Sequence, residues 1–181
     1  MTKRIYLTGY RGTGKTTVGQ LISNRLSMGP EDFDCVDLDQ VIEQAAGKSI
    51  AELFAEGGEE LFRDWESRCL NELDAMPTPP RVVSLGGGAI LRTQNRQFIR
   101  DSGVCIWLTA TPANIASRIT ADATSGTRRP SLTGLSPTEE IASVLASRES
   151  LYRDAADYVV ATDGRTPAEV AAEILAWLDR S

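Results

Sequence analysis

Polar and apolar positions along the chain alternate between two periods. Short apolar runs rich in strand formers lie at Arg4-Ile5-Tyr6-Leu7-Thr8, Phe33 to Asp37, Arg81-Val82-Val83-Ser84-Leu85, Val104 to Leu108 and Tyr158 to Ala161. Between them, apolar residues recur at helical spacing, as in Val18, Leu21, Ile22 and Leu26, and again in Val170, Ile174, Leu175 and Leu178. Strand and helix signals in alternation predict α/β layers around a mainly parallel sheet. The punctuation refines this. A helix from about Leu38 to Ala46 is stopped by Gly47, and Ser49, three residues before Glu52, opens a short helix through Phe54. Gly57-Gly58 breaks that helix, and a longer one follows from about Glu59 to Leu73. Further helices are predicted from Thr93 to Asp101, from Thr111-Pro112 to about Ala121, from Ser136-Pro137-Thr138-Glu139 to about Ala156, and after Thr166-Pro167-Ala168-Glu169. Residues 122 to 135 are polar and rich in small side chains, with Arg128 and Arg129 adjacent. So long a loop inside a compact domain is functional or disordered. The expectation is one domain of five strands, without a linker.

The first strand runs into Gly9-Tyr10-Arg11-Gly12-Thr13-Gly14-Lys15-Thr16, and Thr17 to Leu26 then carries a helical pattern. G-x-x-x-x-G-K-T between a strand and a helix is a phosphate-binding P-loop. Its glycines let successive N–H groups face one anion, and the helix N-terminus adds partial positive charge. Lys15 is placed to reach β- and γ-phosphates, and the Thr16 hydroxyl to ligate Mg²⁺. Gly47-Lys48-Ser49 repeats the letters without the context: the position five before Gly47 is Ile42, and no strand immediately precedes it. It reads as a helix end followed by a helix cap.

The 181 residues are 41% apolar and 24% charged, with a formal net charge of −6 from 19 Lys+Arg and 25 Asp+Glu. That balance argues against broad nucleic-acid binding but leaves room for an anionic ligand held by a few local arginines. There are 0 histidines, so histidine bases and histidine metal sites are excluded. Cys35, Cys69 and Cys105 form no C-x-x-C pair. Zinc is not expected, and a reducing compartment is. With no signal peptide and no apolar run near membrane-spanning length, the expected setting is the cytoplasm.

In parallel α/β sheets ligands sit at the carboxyl ends of strands. After the second strand come Asp37 and Asp39, which strand alternation would turn to one face. One suits hydrated Mg²⁺ and the other an acceptor hydroxyl, while Asp39 is equally placed to cap a helix. After the third strand comes Gly86-Gly87-Gly88, either a loose turn or backbone approached closely by a ligand. Strand three ends Ser84-Leu85 where many P-loop enzymes carry a metal-binding Asp. Arg63 lies among Glu59, Asp64 and Glu66, and Arg148 beside Glu149, so each is either a surface ion pair or an anion ligand. Arg129 suits a lid closing over transferred phosphate, and Arg118 suits stacking on a purine. These residues describe a small P-loop phosphotransferase with a lid and an anionic acceptor, and do not name the acceptor.

Taken together they resemble shikimate kinase, in order along essentially the whole chain. The matching residues are Gly9 to Thr17, Asp37-x-Asp39, Gly57-Gly58-Glu59 with Phe62-Arg63-x-x-Glu66, Gly86-Gly87-Gly88, Arg129-Pro130, and Arg148-x-x-Leu151-Tyr152. The resemblance implies a nucleoside-monophosphate-kinase fold: three αβα layers and a five-stranded parallel sheet in order 2-3-1-4-5. It also implies a single kinase domain over residues 1–181, with a mobile lid at about 120–135 and acceptor-binding helices at about 38–75. The implied reaction is ATP-dependent phosphorylation of the 3-hydroxyl of shikimate, in the route to chorismate and the aromatic amino acids. By the same resemblance Gly12, Thr13, Gly14, Lys15, Thr16 and Thr17 hold ATP phosphates, with Thr16 on Mg²⁺ and Asp37 near the metal's water. Asp39 is the candidate base on the acceptor hydroxyl. Arg63 and Arg148 clamp the shikimate carboxylate, and Glu66 orients Arg63. Gly86, Gly87 and Gly88 line the acceptor, with Gly87 offering backbone to its ring hydroxyls, and Phe54 and Phe62 form the wall. Arg129 is the lid arginine, Arg118 lies against adenine, and the loop from Thr162 to Thr166 weakly matches the adenine loop. Ser131-Leu132 after Arg129-Pro130 departs from the family's usual Leu-Leu, and the lid is lengthened. A monomer with no nucleic-acid or membrane partner is expected. Two readings share the P-loop: a gluconate-kinase-like or other small-metabolite kinase, and a non-catalytic nucleotide-binding homologue.

Overall fold

A computed structural model of the chain describes residues 4–27, 35–76, 81–121 and 136–180. The expected lid, with Arg129, and the start of the second predicted strand lie outside these residues. Strand β1 (Arg4–Thr8) is buried along its whole length and runs into the P-loop, after which helix α1 covers Lys15–Leu26. Strand β2 (Cys35–Asp37) passes directly into α2 (Leu38–Ala46), which is followed by α3 (Ile50–Asn71). Then come β3 (Val82–Ser84), α4 (Thr93–Ser102), β4 (Gly103–Thr109), α5 (Pro112–Ala121), α6 (Pro137–Ala155), β5 (Tyr158–Ala161) and α7 (Pro167–Leu178). Every strand pairing is parallel, and the sheet order is β2-β3-β1-β4-β5.

The period of two along the strands splits the core into two layers. Ile5 and Leu7 on β1, Val82 on β3, and Ile106 and Leu108 on β4 pack with Val18, Ile22, Val170 and Ile174 of α1 and α7. Tyr6, Val83, Cys105 and Trp107 face the other way, against Leu38, Ile42, Phe62, Leu70, Ile99 and Tyr152 of α2, α3, α4 and α6. Strands buried on both faces need the near-continuous apolar runs the sequence shows. The three-layer arrangement brings the carboxyl ends of β1, β2 and β3 to one edge.

Four local differences from the sequence reading have physical reasons. Helix α1 begins at Lys15, inside the motif, because left-handed Gly14 (φ 89°) caps it. Two short 3₁₀ turns, Leu73–Ala75 and Ala89–Leu91, were not expected, being too short to carry a periodic signal. The expected break at Gly57-Gly58 is a kink within α3, where Gly58 takes φ 68° and ψ −160° and the helix resumes at once. Last, Asp37 and Asp39 do not share a strand face, because β2 ends at Asp37. Asp37 caps α2, accepting a hydrogen bond from the Asp39 N–H at 3.0 Å, and Asp39 belongs to the first helical turn. Both readings of Gly47-Lys48-Ser49 hold: Gly47 ends α2 at φ 64°, and Ser49 starts α3 with a reciprocal capping box to Glu52.

Candidate active site

The P-loop curls with Gly9, Gly12 and Gly14 at positive φ. Its oxygens are gathered inward: Thr13 Oγ1 donates to the Tyr10 carbonyl at 2.8 Å, and the Lys15 ammonium donates to the carbonyls of Gly9 (2.9 Å) and Tyr10 (3.0 Å). Lys15 is buried, so its charge stands at the base of the loop where an anion is held by backbone N–H groups. A cleft of about 400 Å³ opens from this loop, lined by Lys15, Thr16 and Arg118 together with Asp37, Asp39, Gly86 and Gly87. Arg11 also lines it, a loop position to which the sequence reading gave no role.

The structure pairs Asp37 with Thr16, whose hydroxyl donates to Asp37 Oδ2 at 2.7 Å and lies 3.2 Å from the Ser84 hydroxyl. Thus three hard oxygen donors from the ends of β2, β3 and the start of α1 converge. This is a donor set suited to Mg²⁺ in number and type when phosphate and water complete the shell. Among the described residues, no cluster of three or more His, Cys, Asp or Glu side chains offers an alternative metal site.

The glycine turn after β3 gathers charged side chains from several elements. A Cβ on Gly86 would lie 2.8 Å from Asp39 Oδ1 and 2.9 Å from Glu66 Oε1, so this bare backbone fits between two carboxylates. A Cβ on Gly88 would lie 2.3 to 2.5 Å from the Arg63 guanidinium. The Gly87 carbonyl accepts from Arg148 at 3.4 Å and from the Tyr152 hydroxyl at 2.6 Å. The three glycines are thus no loose turn, and the groups that approach their backbone in this structure are the protein's own side chains and the P-loop.

Arg63 is not a surface ion pair. Its side chain is 6% exposed, and it donates to fully buried Glu66 at 2.7 Å and to Glu59 at 3.0 Å. Burial works against the Arg63 charge, but Glu66 and Glu59 outweigh it and hold the guanidinium above its ordinary pKa. Its Cζ sits 5.0 Å from the centroid of the buried Phe62 ring, which in turn packs on Phe54 at 5.1 Å. Phe54 and Phe62 are eight residues apart, which a straight helix would separate by about 12 Å along its axis. The Gly58 kink lies between them. Arg63, Glu66 and Arg148 meet the cleft through the glycine turn, with Phe62 and Phe54 behind Arg63, and none of these five residues nor Gly88 lines its open volume.

Beside the P-loop, Arg118 donates to the Thr162 hydroxyl and carbonyl, both at 2.9 Å, and to the Gly12 carbonyl at 3.3 Å. It thereby ties the P-loop to the loop after β5. A second cavity of about 170 Å³ lies there, lined by Thr13, Thr17, Arg118, Thr162, Arg165 and Pro167. Asp163 fixes this loop to the start of α5, accepting from the Thr111 N–H (3.0 Å) and from Asn114. Partial burial works to raise the Asp163 pKa, but the Asn114 and Thr111 hydrogen bonds and the Arg118 charge bring it below the ordinary value. The sequence reading assigned no role to Tyr152 or Asp163. Tyr152 stood within a recognised motif, but nothing in a sequence shows which carbonyl a buried phenol meets.

A family model described as shikimate kinase matches residues 11–179. The chain is 47% identical over 173 residues to the shikimate kinase of Rhodopirellula baltica, covering 96% of this chain and 89% of that protein. The solved structure of shikimate kinase from Acinetobacter baumannii in complex with shikimate matches with a TM-score of 0.87 and 31% identity, over 99% of this chain and 94% of that one. A gluconokinase from Sinorhizobium meliloti 1021 matches over 98% of this chain and 92% of that one, with a TM-score of 0.59 and 17% identity, a likeness of fold alone.

Proposed function

The chain belongs to the shikimate kinase family, and on that premise we propose that it passes the γ-phosphoryl group of ATP to the 3-hydroxyl of shikimate. It is an enzyme, a kinase. The observation that carries the acceptor is the glycine turn: it sets Asp39 on the wall of the P-loop cleft and packs against two guanidiniums, Arg63 and Arg148, from different helices. A planar carboxylate bearing hydroxyls matches paired guanidiniums with a nearby carboxylate. A nucleoside monophosphate would need a base-recognition pocket instead.

In this reading Gly12 to Thr17 hold the phosphates, with Lys15 on the β- and γ-oxygens. Thr16 and Asp37 would hold Mg²⁺, which when bound supplies charge neutralisation at the phosphates. Asp39 orients the acceptor hydroxyl in line with the γ-phosphorus and takes its proton. Arg63, set by Glu66, and Arg148 hold the carboxylate, while Phe54 and Phe62 exclude water behind it. Arg118 lies along the adenine, and Arg129 is the lid arginine. Positioning and charge neutralisation supply most of the rate in such a transfer. The chain acts as one domain, as a monomer, in the cytoplasm. Among the described residues no helix is long and apolar enough to cross a membrane.

The test is ADP release by purified protein with shikimate, gluconate and AMP as acceptors, and identification of the product by phosphorus NMR. Turnover with shikimate alone, and phosphate on its 3-oxygen, is expected. No shikimate-dependent ADP release overturns the proposal.

A further inference from the structure

Tyr152 lies on α6 one helical turn after Arg148, so both side chains leave the same face of that helix. It is fully buried. Its ring stacks on Trp107 of β4 at 5.3 Å between centroids with an interplanar angle of 11°. Its hydroxyl ends on the Gly87 carbonyl at 2.6 Å, at the short end for an O–H···O hydrogen bond. The charges of Arg148 and Arg63 both bear on it, as does the Tyr10 phenol. The phenol thus shares the Gly87 carbonyl with Arg148, on the glycine turn that Arg63 also meets.

Gly87 in turn lies against the P-loop. A Cβ there would be 3.2 Å from the Gly9 carbonyl oxygen, 3.6 Å from Tyr10 Cα and 3.6 Å from the Tyr152 hydroxyl. The peptide group is planar, so fixing the direction of the Gly87 carbonyl fixes the plane that also carries the Gly88 N–H. Gly88 is the residue against which the Arg63 guanidinium packs. The short Tyr152 hydrogen bond thus joins a longer one from Arg148 at the Gly87 carbonyl, and backbone bonds to the Gly86 and Gly88 carbonyls, in orienting a segment with no side chains of its own, touched by Arg63, Arg148 and the P-loop.

We infer that Tyr152 is a positioning residue for the acceptor: its hydroxyl clamps the Gly87 carbonyl and so holds the glycine turn in register between the P-loop and the two arginines. The rigid stack on Trp107 aims the phenol, and the hydroxyl supplies the clamp. Burial pushes the Tyr152 pKa up to about 12, so the phenol stays a donor throughout the physiological range. This inference rests on the acceptor reading given above.

The test is Tyr152→Phe, which keeps the ring and its stack and removes only the hydroxyl. Acceptor and nucleotide constants are measured separately, with circular dichroism confirming the fold. The expected result is a fall of about tenfold or more in kcat/KM for shikimate, with KM for ATP within about twofold of the parent. A purely structural role would lower the melting temperature and leave both sets of constants alone, and that result overturns the inference. So does equal weakening toward both substrates. Should the variant be unstable, calorimetric titration of its native fraction with shikimate and, separately, with ADP reads the same split. A parent protein without shikimate-dependent turnover overturns the acceptor reading itself, whereas a parent-like Tyr152→Phe overturns only the role of the phenol.

Discussion

Arg63 shows how a charge is kept where the interior would expel it. A buried guanidinium is held only when paired and hydrogen-bonded, and Glu66, itself without exposure, and Glu59 do this. The missing side chain of Gly88 leaves the space in which it sits. Gly88 has φ −111°, which any residue can adopt, so the glycine is needed for the room alone. Gly88→Ala should therefore keep the turn's backbone conformation yet displace the guanidinium, with some loss of stability as Glu66 loses its partner. A rise in KM for shikimate of about tenfold, about 1.4 kcal/mol, is expected with KM for ATP unchanged, and an unchanged acceptor KM contradicts this placement of Arg63. The Glu66 partner was legible through the family resemblance, but the burial of Arg63 and the room at Gly88 were not, since Asp64, Glu66 and Glu59 left a surface pair as an open alternative on the residues alone. That burial depends on a turn that starts some twenty residues later. The P-loop residues were legible because the chemistry of a phosphate cradle is local.

At the scale of elements, helix α3 does two jobs with one defect. Its first part carries Phe54, its second part Phe62, Arg63 and Glu66, and Gly58 turns one toward the other. Nothing lies within 4 Å of a Cβ built on Gly58, so its backbone conformation is the sole constraint. Gly58→Ala should cost about 1–3 kcal/mol of stability, measured by urea unfolding, because φ 68° with ψ −160° is a region for glycine. A loss near zero would mean that the kink relaxes without penalty. The glycine pair announced an interruption with a helix on either side, but not that the two would join as one kinked helix. Cap signals were the most legible features, since a capping box lies within four residues. The Asp37 and Asp39 geometry was misjudged because strand alternation was carried two residues beyond the end of β2 at Asp37, and helix boundaries are set by hydrogen bonds that a pattern does not show.

For the molecule as a whole, the sheet order gathers three strand ends into one cleft, where Arg11, Lys15 and Arg118 stand together in a chain of net charge −6. The order 2-3-1-4-5 was legible only by family resemblance, since which strands pair is decided by distant packing. Acid stability is a property of the same scale. Hydrogen bonds from the cap residues Ser49, Ser136 and Thr166 hold Glu52, Glu139 and Glu169 below their ordinary 4.5. A carboxylate with a lowered folded pKa contributes stability that is complete above its unfolded value and is lost as pH falls through the folded one. The melting temperature should accordingly be little affected by these groups above about pH 5 and should fall as pH drops below 4.5. Replacing all three by Gln should flatten that fall, and an unchanged slope would show that the capping boxes are not its source.

The central claim is that one glycine turn presents shikimate to the P-loop. The crystal structure of the protein with ADP and shikimate bound tests it most directly. The account predicts the shikimate carboxylate within hydrogen-bonding distance of both Arg63 and Arg148, and its 3-hydroxyl beside Asp39 and facing the P-loop. A carboxylate bound away from both arginines, or a 3-hydroxyl turned from Asp39, would contradict it.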